Sequence, residues 1–508
     1  MAKKIAIIGA GPGGLAAAML LASKGYKIDV YEKQNFIGGR NSSFKMGGYT
    51  FDVGPTFLSM PEIAEELFEE ANRNLHDYID LKELPMMYEL IFPSKKVRMY
   101  RDPVKMKDEI ERHFPGDSAG YDAFMADTRM KMDRLRPILQ SKMDHYYQYM
   151  SFKVLKALPQ LSLGKSLYTV LSNYFQHEEL KLGFTFQAKY LGMSPWECPG
   201  AFSILSFMEH EYGIFHPMGG VNQLSKAMAR VVHEYGGNIH LGNGVKKLIT
   251  DQKKNVTGFI LEDGREVECD EVIINGDFSH VMSNLLDEGI LKKYSPSKLA
   301  KKKYSCSTFM IYLGVNREYN LPHHTICFAD DYKKNVEEIT GTGLLSADPS
   351  IYIQNASVTD PTLAPAGKSA LYILAPVPNN LNEIDWEKNE KTFRDLVLEL
   401  VEKKTGFKNL RDHIEEERII SPIHWEYDFS VFKGATFSLG HQLTQMMALR
   451  PHNKFEELGS TWLVGGGTHP GSGLPTILES ARITTAMMMN NSPGESRQKD
   501  LLKVEDKV

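Results

Sequence analysis

The chain of 508 residues has only four cysteines, Cys198, Cys269, Cys306 and Cys327, and no CxxC pair among them. That excludes a disulfide-stapled scaffold and a cysteine zinc site, and it reads as reduced thiols in a cytosolic protein. No apolar run approaches the ~18 residues of a membrane-spanning helix. Stretches such as FMIYLGV (309–315) have strand length. There is no excess of basic charge: the net charge is -5, so nucleic acid is not an expected partner. Internal repeats, low-complexity segments, metal-ligand spacings and Ser/His/Asp or Cys/His arrangements are also missing. With 42% hydrophobic and 24% charged residues, the composition is that of a folded protein too long for one core.

The informative segment is the N-terminus, MAKKIAIIGAGPGGLAAAMLLASKG. Two lysines, an apolar run and small residues allow a secretory signal. Such a signal needs a continuous apolar helix, and Gly9, Gly11, Pro12, Gly13 and Gly14 interrupt this one. The other reading is a βαβ unit. Ile5–Ile8 suits a strand buried on both faces, LAAAMLLASKG a helix ending at Gly25, and Lys27–Tyr31 a second strand closing on Glu32. Gly9, Gly11 and Gly14 form G-x-G-x-x-G, and Glu32 follows Gly14 by 18 residues, near the ~20 of a dinucleotide fingerprint. Gly9 then permits the tight turn, Gly11 the approach of a pyrophosphate, and Gly14 close helix–strand packing. The helix N-terminus meets the phosphates, and Glu32 accepts from ribose hydroxyls.

After Glu32 come Gly38-Gly39-Arg40 and YTFDVGPT (49–56). Near the C-terminus stand GHQLTQMMALRPHN (440–453) and STWLVGGGTHPGSGLPTILESARITTAMM (460–488). The latter is a second strand–glycine–helix unit, with Trp462-Leu463-Val464 as strand, Gly465-Gly466-Gly467 as turn and a helix from about Pro475. Together GxGxxG, Glu32, GGR and FDxGP resemble the flavin-containing amine oxidase and carotenoid desaturase superfamily. LTQ, RPHN and THPGxGxP are similar to the bacterial phytoene desaturases, with the nearest likeness to the diapophytoene (dehydrosqualene) desaturases of Gram-positive bacteria. YSCSTFMIYLGV (304–315), DPSIYI (348–353) and LAPAGKSALYIL (363–374) agree, so the likeness runs from Lys4 to about Met489.

The resemblance implies an α/β fold: a Rossmann-like FAD-binding domain of the amine oxidase type, an inserted α+β substrate domain, and a helical region that faces a membrane. The FAD domain is expected from 1–75, 215–290 and 455–490, the substrate domain from 76–214 and 300–450, and 491–508 as a disordered tail. Within 217–249, Leu224, Met228 and Val231 share a helix face that ends at Gly236-Gly237, and IHLGNGVKKLI reads as one strand. Asp263-Gly264 marks a hairpin, after which Glu271–Asn275 returns to the main sheet. The implied FAD-binding residues are Gly9, Gly11, Gly14, Glu32, Gly39, Arg40, Val245, Gly466, Gly467 and Pro475. Arg40 is expected near the diphosphate and Val245 at the adenine, an ordinary core valine being the alternative for the second.

The implied reaction is hydride transfer from an allylic CH₂ of a linear C30 (diapophytoene) or C40 (phytoene) isoprenoid to FAD, with loss of a proton from the next carbon. The 24 Met, 25 Phe and 23 Tyr can line an apolar channel, or form plain core. His469 is the catalytic candidate, as proton acceptor or ring partner; a structural histidine bonded to its own glycine-rich turn is the alternative. Residues 145–175 place Met, Phe, Leu and Tyr at helical spacing with Lys153, Lys156 and Lys165 and no acid, which suits the inner membrane surface or an ordinary lid. Quinone or oxygen would take the electrons. Rival readings are a terminal-methyl oxidase, a flavin-free isoprenoid carrier like GDI, and an amine oxidase.

Overall fold

The computed structural model describes residues 3–489, apart from the side chains of 189–191; the expected tail lies outside these residues. A five-stranded parallel sheet runs in the order Asn238–His240, Lys27–Tyr31, Lys4–Ile8, Glu271–Ile274 and Thr461–Leu463. Three distant parts of the chain therefore share one sheet. Its two faces follow the two-residue period of the strands. Ile5, Ile7, Ile28, Val30 and Ile273 join one buried cluster, and Ala6, Ile8, Val272 and Ile274 another. Strands buried on both faces read as continuous apolar runs, as IAII and VII do.

The first cluster includes the helix Pro12–Ser23, whose residues from Gly13 to Ala22 are all buried. Its alanines allow close packing between Asn222–Glu234 and Leu474–Met488. The second cluster includes an antiparallel sheet of Val245–Thr250, Val256–Leu261 and Glu266–Glu268. IHLGNGVKKLI is thus two strands rather than one. Gly242, at φ +72, turns the chain, and the amides of Gly242 and Asn243 bond to the carbonyls of Gln34 and Glu32. The segment leaves the parallel sheet there and starts an antiparallel one.

The second region is built on a seven-stranded sheet: Ile414–Ile420, Ser307–Val315, Ser369–Val377, Ile351–Gln354, His324–Cys327, Met86–Ile91 and Lys96–Tyr100. Alternation again assigns its faces. Phe309, Ile311, Leu313 and Val315 pack with the helix Trp386–Thr405, as do Leu371, Ile373, Ala375 and Val377. Met310, Tyr312, Tyr372 and Tyr352 belong to the cluster shared with the helical region and the FAD-type sheet. A small sheet of Leu58–Ser59, Ile214–Pro217 and Leu81–Glu83 joins the two regions. The 145–175 segment is not one amphipathic helix. It is a series of short turns and helices, Tyr146–Met150, Phe152–Ala157, Leu158–Gln160 and Leu167–Leu171, broken at Pro159 and Gly164. Among the described residues, no helix is long and apolar enough to cross a membrane.

Candidate active site

The first glycine turn is packed to contact. Gly9 has φ +100, and a Cβ on Gly14 would lie 2.2 Å from the Gly9 carbonyl oxygen. The amide of Asn275 is wedged among the glycines, donating to that carbonyl at 3.1 Å; a Cβ on Gly11 or Gly13 would come within 3.0 Å of it. The second glycine turn meets the first here, since the Gly13 Cβ position is also 3.2 Å from the Gly465 amide nitrogen. Asn275 was not singled out from the sequence. The only signal was NGD directly after EVII, at the C-terminal end of a central strand.

Glu32 is buried, and its carboxylate accepts from the Ala10 amide (2.8 Å) and the Gln34 amide (2.9 Å). Burial raises its pKa, opposed by those backbone bonds. It braces the glycine turn while presenting its remaining lone pairs at the end of the strand. Val245 is half-buried just beyond Gly242–Gly244, the segment tied to Glu32 and Gln34. Gly38 (φ +108) donates to the Ala10 carbonyl, and Gly39 lies against Gly11. Arg40 is drawn to the loop 436–438. It donates to the Thr436 carbonyl and faces Asp277 at 3.7 Å, and Asp277 accepts from the Ser438 hydroxyl. Asp52 of FDVGP serves a helix instead. Its carboxylate accepts from the amides of Val221 and Asn222 at the start of the helix Asn222–Glu234. Burial pushes that carboxyl up to about 6.

In the C-terminal unit, a Cβ on Gly467 would approach Phe278 to 2.7 Å, and the Gly466 carbonyl accepts from Arg450 at 2.6 Å. Pro475 shapes the first turn of the helix Leu474–Met488 and offers no N–H. His469 is buried and bonded through Nε2 to the Ser141 carbonyl (2.9 Å), not to its own turn, and Nδ1 has no partner among the described residues. Burial lowers its pKa to about 4, so the ring is neutral near pH 7.

The helices Pro12–Ser23 and Leu474–Met488 both start at a glycine, without side-chain caps or acids in the first turn. Such ends hold orphan N–H groups suited to phosphate and ring oxygens. With the buried acid at the end of Lys27–Tyr31, these groups suit the phosphates, ribose and ring oxygens of FAD.

A small apolar cavity of about 40 Å³ lies over the inner face of the seven-stranded sheet, lined by Phe186, Thr308, Ile326, Tyr352, Leu374 and Phe437 among others. Phe437 stands between Thr436 and Ser438, in the loop that receives Arg40. Three sheet tyrosines grip residues 53–56: Tyr312 donates to the Val53 carbonyl (2.6 Å), Tyr372 to the Gly54 carbonyl (2.9 Å), and Tyr352 bonds Thr56 (2.7 Å). The cavity is thus held against the cofactor side of the molecule.

Behind Phe186, the Tyr88 hydroxyl and the Gln187 amide donate to buried Glu209 at 2.9 and 2.7 Å. Burial raises this carboxyl to about 7. A folded-state pKa above the unfolded value means that stability is lost as pH rises from about 4.5 to 7, by roughly 3 kcal/mol. Glu209→Gln is therefore expected to gain stability over wild type as pH rises from 5 to 8 in thermal unfolding. A difference that stays flat with pH would show that Glu209 does not titrate.

Fold and site define an oxidoreductase that carries FAD. Residues 12–486 match the flavin containing amine oxidoreductases, and the chain belongs to that family, within its carotenoid desaturases. It is 48% identical over 486 residues to a 4,4'-diapophytoene desaturase (4,4'-diapolycopene-forming) from Methylomonas sp, covering 96% of this chain and 95% of that one. It is 32% identical to a 4,4'-diapophytoene desaturase (4,4'-diaponeurosporene-forming) of Staphylococcus haemolyticus, covering 96% and 99%. In fold it resembles an oxidoreductase from Methanosarcina mazei (TM-score 0.63, 17% identity, 96% and 100% coverage).

Proposed function

We propose that this protein introduces double bonds into 4,4'-diapophytoene, a linear C30 carotenoid precursor. The observation that carries this is the 48% identity, over 96% of the chain, to the Methylomonas enzyme, joined to a small apolar cavity lined by Tyr352 and Phe437. When bound, FAD supplies the two-electron acceptor for each new double bond. The chain supplies the rest. Gly9–Gly14, Glu32 and the two helix ends hold the cofactor; Gly39, Arg40, Gly466, Gly467 and Val245 border it. The cavity orients the hydrocarbon and excludes water. Quinone or oxygen reoxidises the flavin.

Expression in cells that make diapophytoene, and separately phytoene, tests this. The expected product has a longer chromophore and two fewer hydrogens per step, from the C30 precursor. Aldehyde or acid products would make the protein a terminal oxidase, and an unaltered bound isoprenoid would make it a carrier.

We also propose that the protein sits on the inner face of the cell membrane, through residues 146–163. There Met150 and Phe152 are 72% and 80% exposed, beside exposed Tyr146, Tyr147, Leu155, Leu158 and Leu163. Lys142, Lys153, Lys156 and Lys165 flank them. Single exposed hydrophobics are ordinary, but this many in one short segment mark an interaction surface. Ser141 and Tyr149 bond His469 and the Ala448 amide, so this surface adjoins the C-terminal glycine turn. Inserting one such side chain contributes about 1.5–3 kcal/mol. Met150→Glu with Phe152→Glu should lower binding to anionic vesicles by at least about 100-fold, with turnover in detergent retained. Unchanged sedimentation with vesicles would refute the membrane contact.

A further inference from the structure

Removal of a hydride from an allylic carbon leaves a cation, and a double bond forms only when the neighbouring carbon gives up a proton. In an apolar cavity that proton needs a defined acceptor. Thr308 and Ser350 line the cavity, but Thr308 Oγ1 accepts from the Trp425 indole and Ser350 donates to the Asn335 amide oxygen. Neither partner is a base. Tyr352 also lines the cavity; its hydroxyl donates to Thr56 Oγ1 at 2.7 Å and lies 2.7 Å from His324 Nδ1. His324 is buried within the sheet, and its Nε2 has no partner among the described residues.

The position is near the cofactor side. A Cβ on Gly54 would lie 2.5 Å from the Arg40 carbonyl oxygen, so the segment bearing Thr56 runs against the GGR turn. Phe437, on the Arg40-bound loop, lines the same cavity as Tyr352.

We propose that Tyr352 is a catalytic residue that takes the substrate proton, with His324 behind it as the base that positions and discharges it. The C–H bond beside the cation breaks, and its electron pair becomes the second bond of C=C. The phenolic hydrogen turns from Thr56 Oγ1 to His324 Nδ1; the substrate proton then passes to Tyr352 Oη as the phenolic proton moves onto that nitrogen, leaving the tyrosine neutral and an imidazolium that releases its proton to water after product departs. The flavin, when bound, would supply the acceptor for the hydride's electron pair.

Burial, with His216 nearby, pushes His324 down to about 3, so the imidazole is neutral and ready at any working pH. An allylic cation is a far stronger acid than an imidazolium, so a weak base suffices. His323, whose ring centre is 4.3 Å from that of His324, is already committed: Nδ1 bonds Thr359 and Nε2 faces the Gln354 amide. His216, 4.8 Å from His323, bonds Asp360.

The inference rests on the desaturase reading. The test is turnover by full-length, flavin-loaded Tyr352→Phe and His324→Gln, using diapophytoene with and without deuterium at the carbon that loses the proton. Expected are a drop in kcat of about 100-fold or more, unchanged KM and flavin content, and a new isotope effect at that carbon. Thr56→Val, which removes the other bond of the same hydroxyl, should show no such isotope effect. In flavin-free protein labelled with ¹⁵N-histidine, Tyr352→Phe should abolish the hydrogen-bonded Nδ1 signal of His324. Wild-type rates in both variants, or slowing without the isotope effect, would overturn the proposal. Wild-type protein that forms no double bonds would instead refute the desaturase reading.

Discussion

Gly14→Ala is expected to yield protein with less than a tenth of the wild-type flavin. The new methyl would sit 2.2 Å from the Gly9 carbonyl oxygen and 2.9 Å from the Asn275 amide. The Gly9 carbonyl is backbone and cannot swing aside as a side-chain tip could, so the glycine turn must part from its helix. Overpacking of this kind costs about 1–3 kcal/mol or more, and here it falls on the turn proposed to hold the FAD phosphates. Gly25→Ala is the control. It ends the same helix with φ +83, and a Cβ there meets nothing within 4 Å. It should cost about 1 kcal/mol of backbone strain and keep its flavin. Flavin absorbance per protein, with thermal unfolding, separates the outcomes; equal flavin in both variants would show that the tight turn does not govern binding.

Arg450→Met is expected to be the most damaging single change outside the glycine turns. Arg450 is wholly buried and donates to five carbonyls: Thr468 at 3.0 Å, Gly466 at 2.6 Å, Leu439 at 3.3 Å, and Gly440 and Gln445 at 3.4 Å. Its guanidinium ties the C-terminal glycine turn to the loop before it. Each buried carbonyl left unpaired costs about 1–3 kcal/mol, so two or three approach the whole stability of an ordinary domain, about 5–15 kcal/mol. Burial lowers the Arg450 pKa to about 10, which still leaves it charged near neutrality. Lysine keeps the charge but lacks the planar fork. Arg450→Lys should therefore fold with a Tm lower by roughly 10 °C or more and reduced flavin, while Arg450→Met should fail to accumulate as folded protein. A methionine variant with wild-type Tm would contradict this account of RPHN.

Much of this was legible in local sequence. The strand–turn–helix–strand unit at 4–32 is written in contiguous residues, where apolar runs and glycines dictate the backbone. So is the hairpin at Asp263-Gly264, and the helix after Gly473. The break between His240 and Val245 was not, because apolar period alone does not say which sheet a strand joins. Arg40 was expected near the diphosphate as a matter of motif. Its guanidinium is shared with Thr436 and Asp277, about 400 and 240 positions away in the chain, which no local pattern encodes. Asp52 was counted in a flavin motif, and the fold uses it to cap a distant helix.

By itself the sequence determined the strand–glycine–helix turn, the acid at the end of the second strand and the likeness to carotenoid desaturases, because each depends on residues close in the chain. Only the tertiary structure decided the rest. It brought Asn275 between two glycine turns, buried Arg450 among carbonyls, bonded His469 to Ser141 and set Tyr352 against His324 at the cavity wall. Those pairings depend on which strands meet in a sheet, and burial then decides which partners a polar group must find.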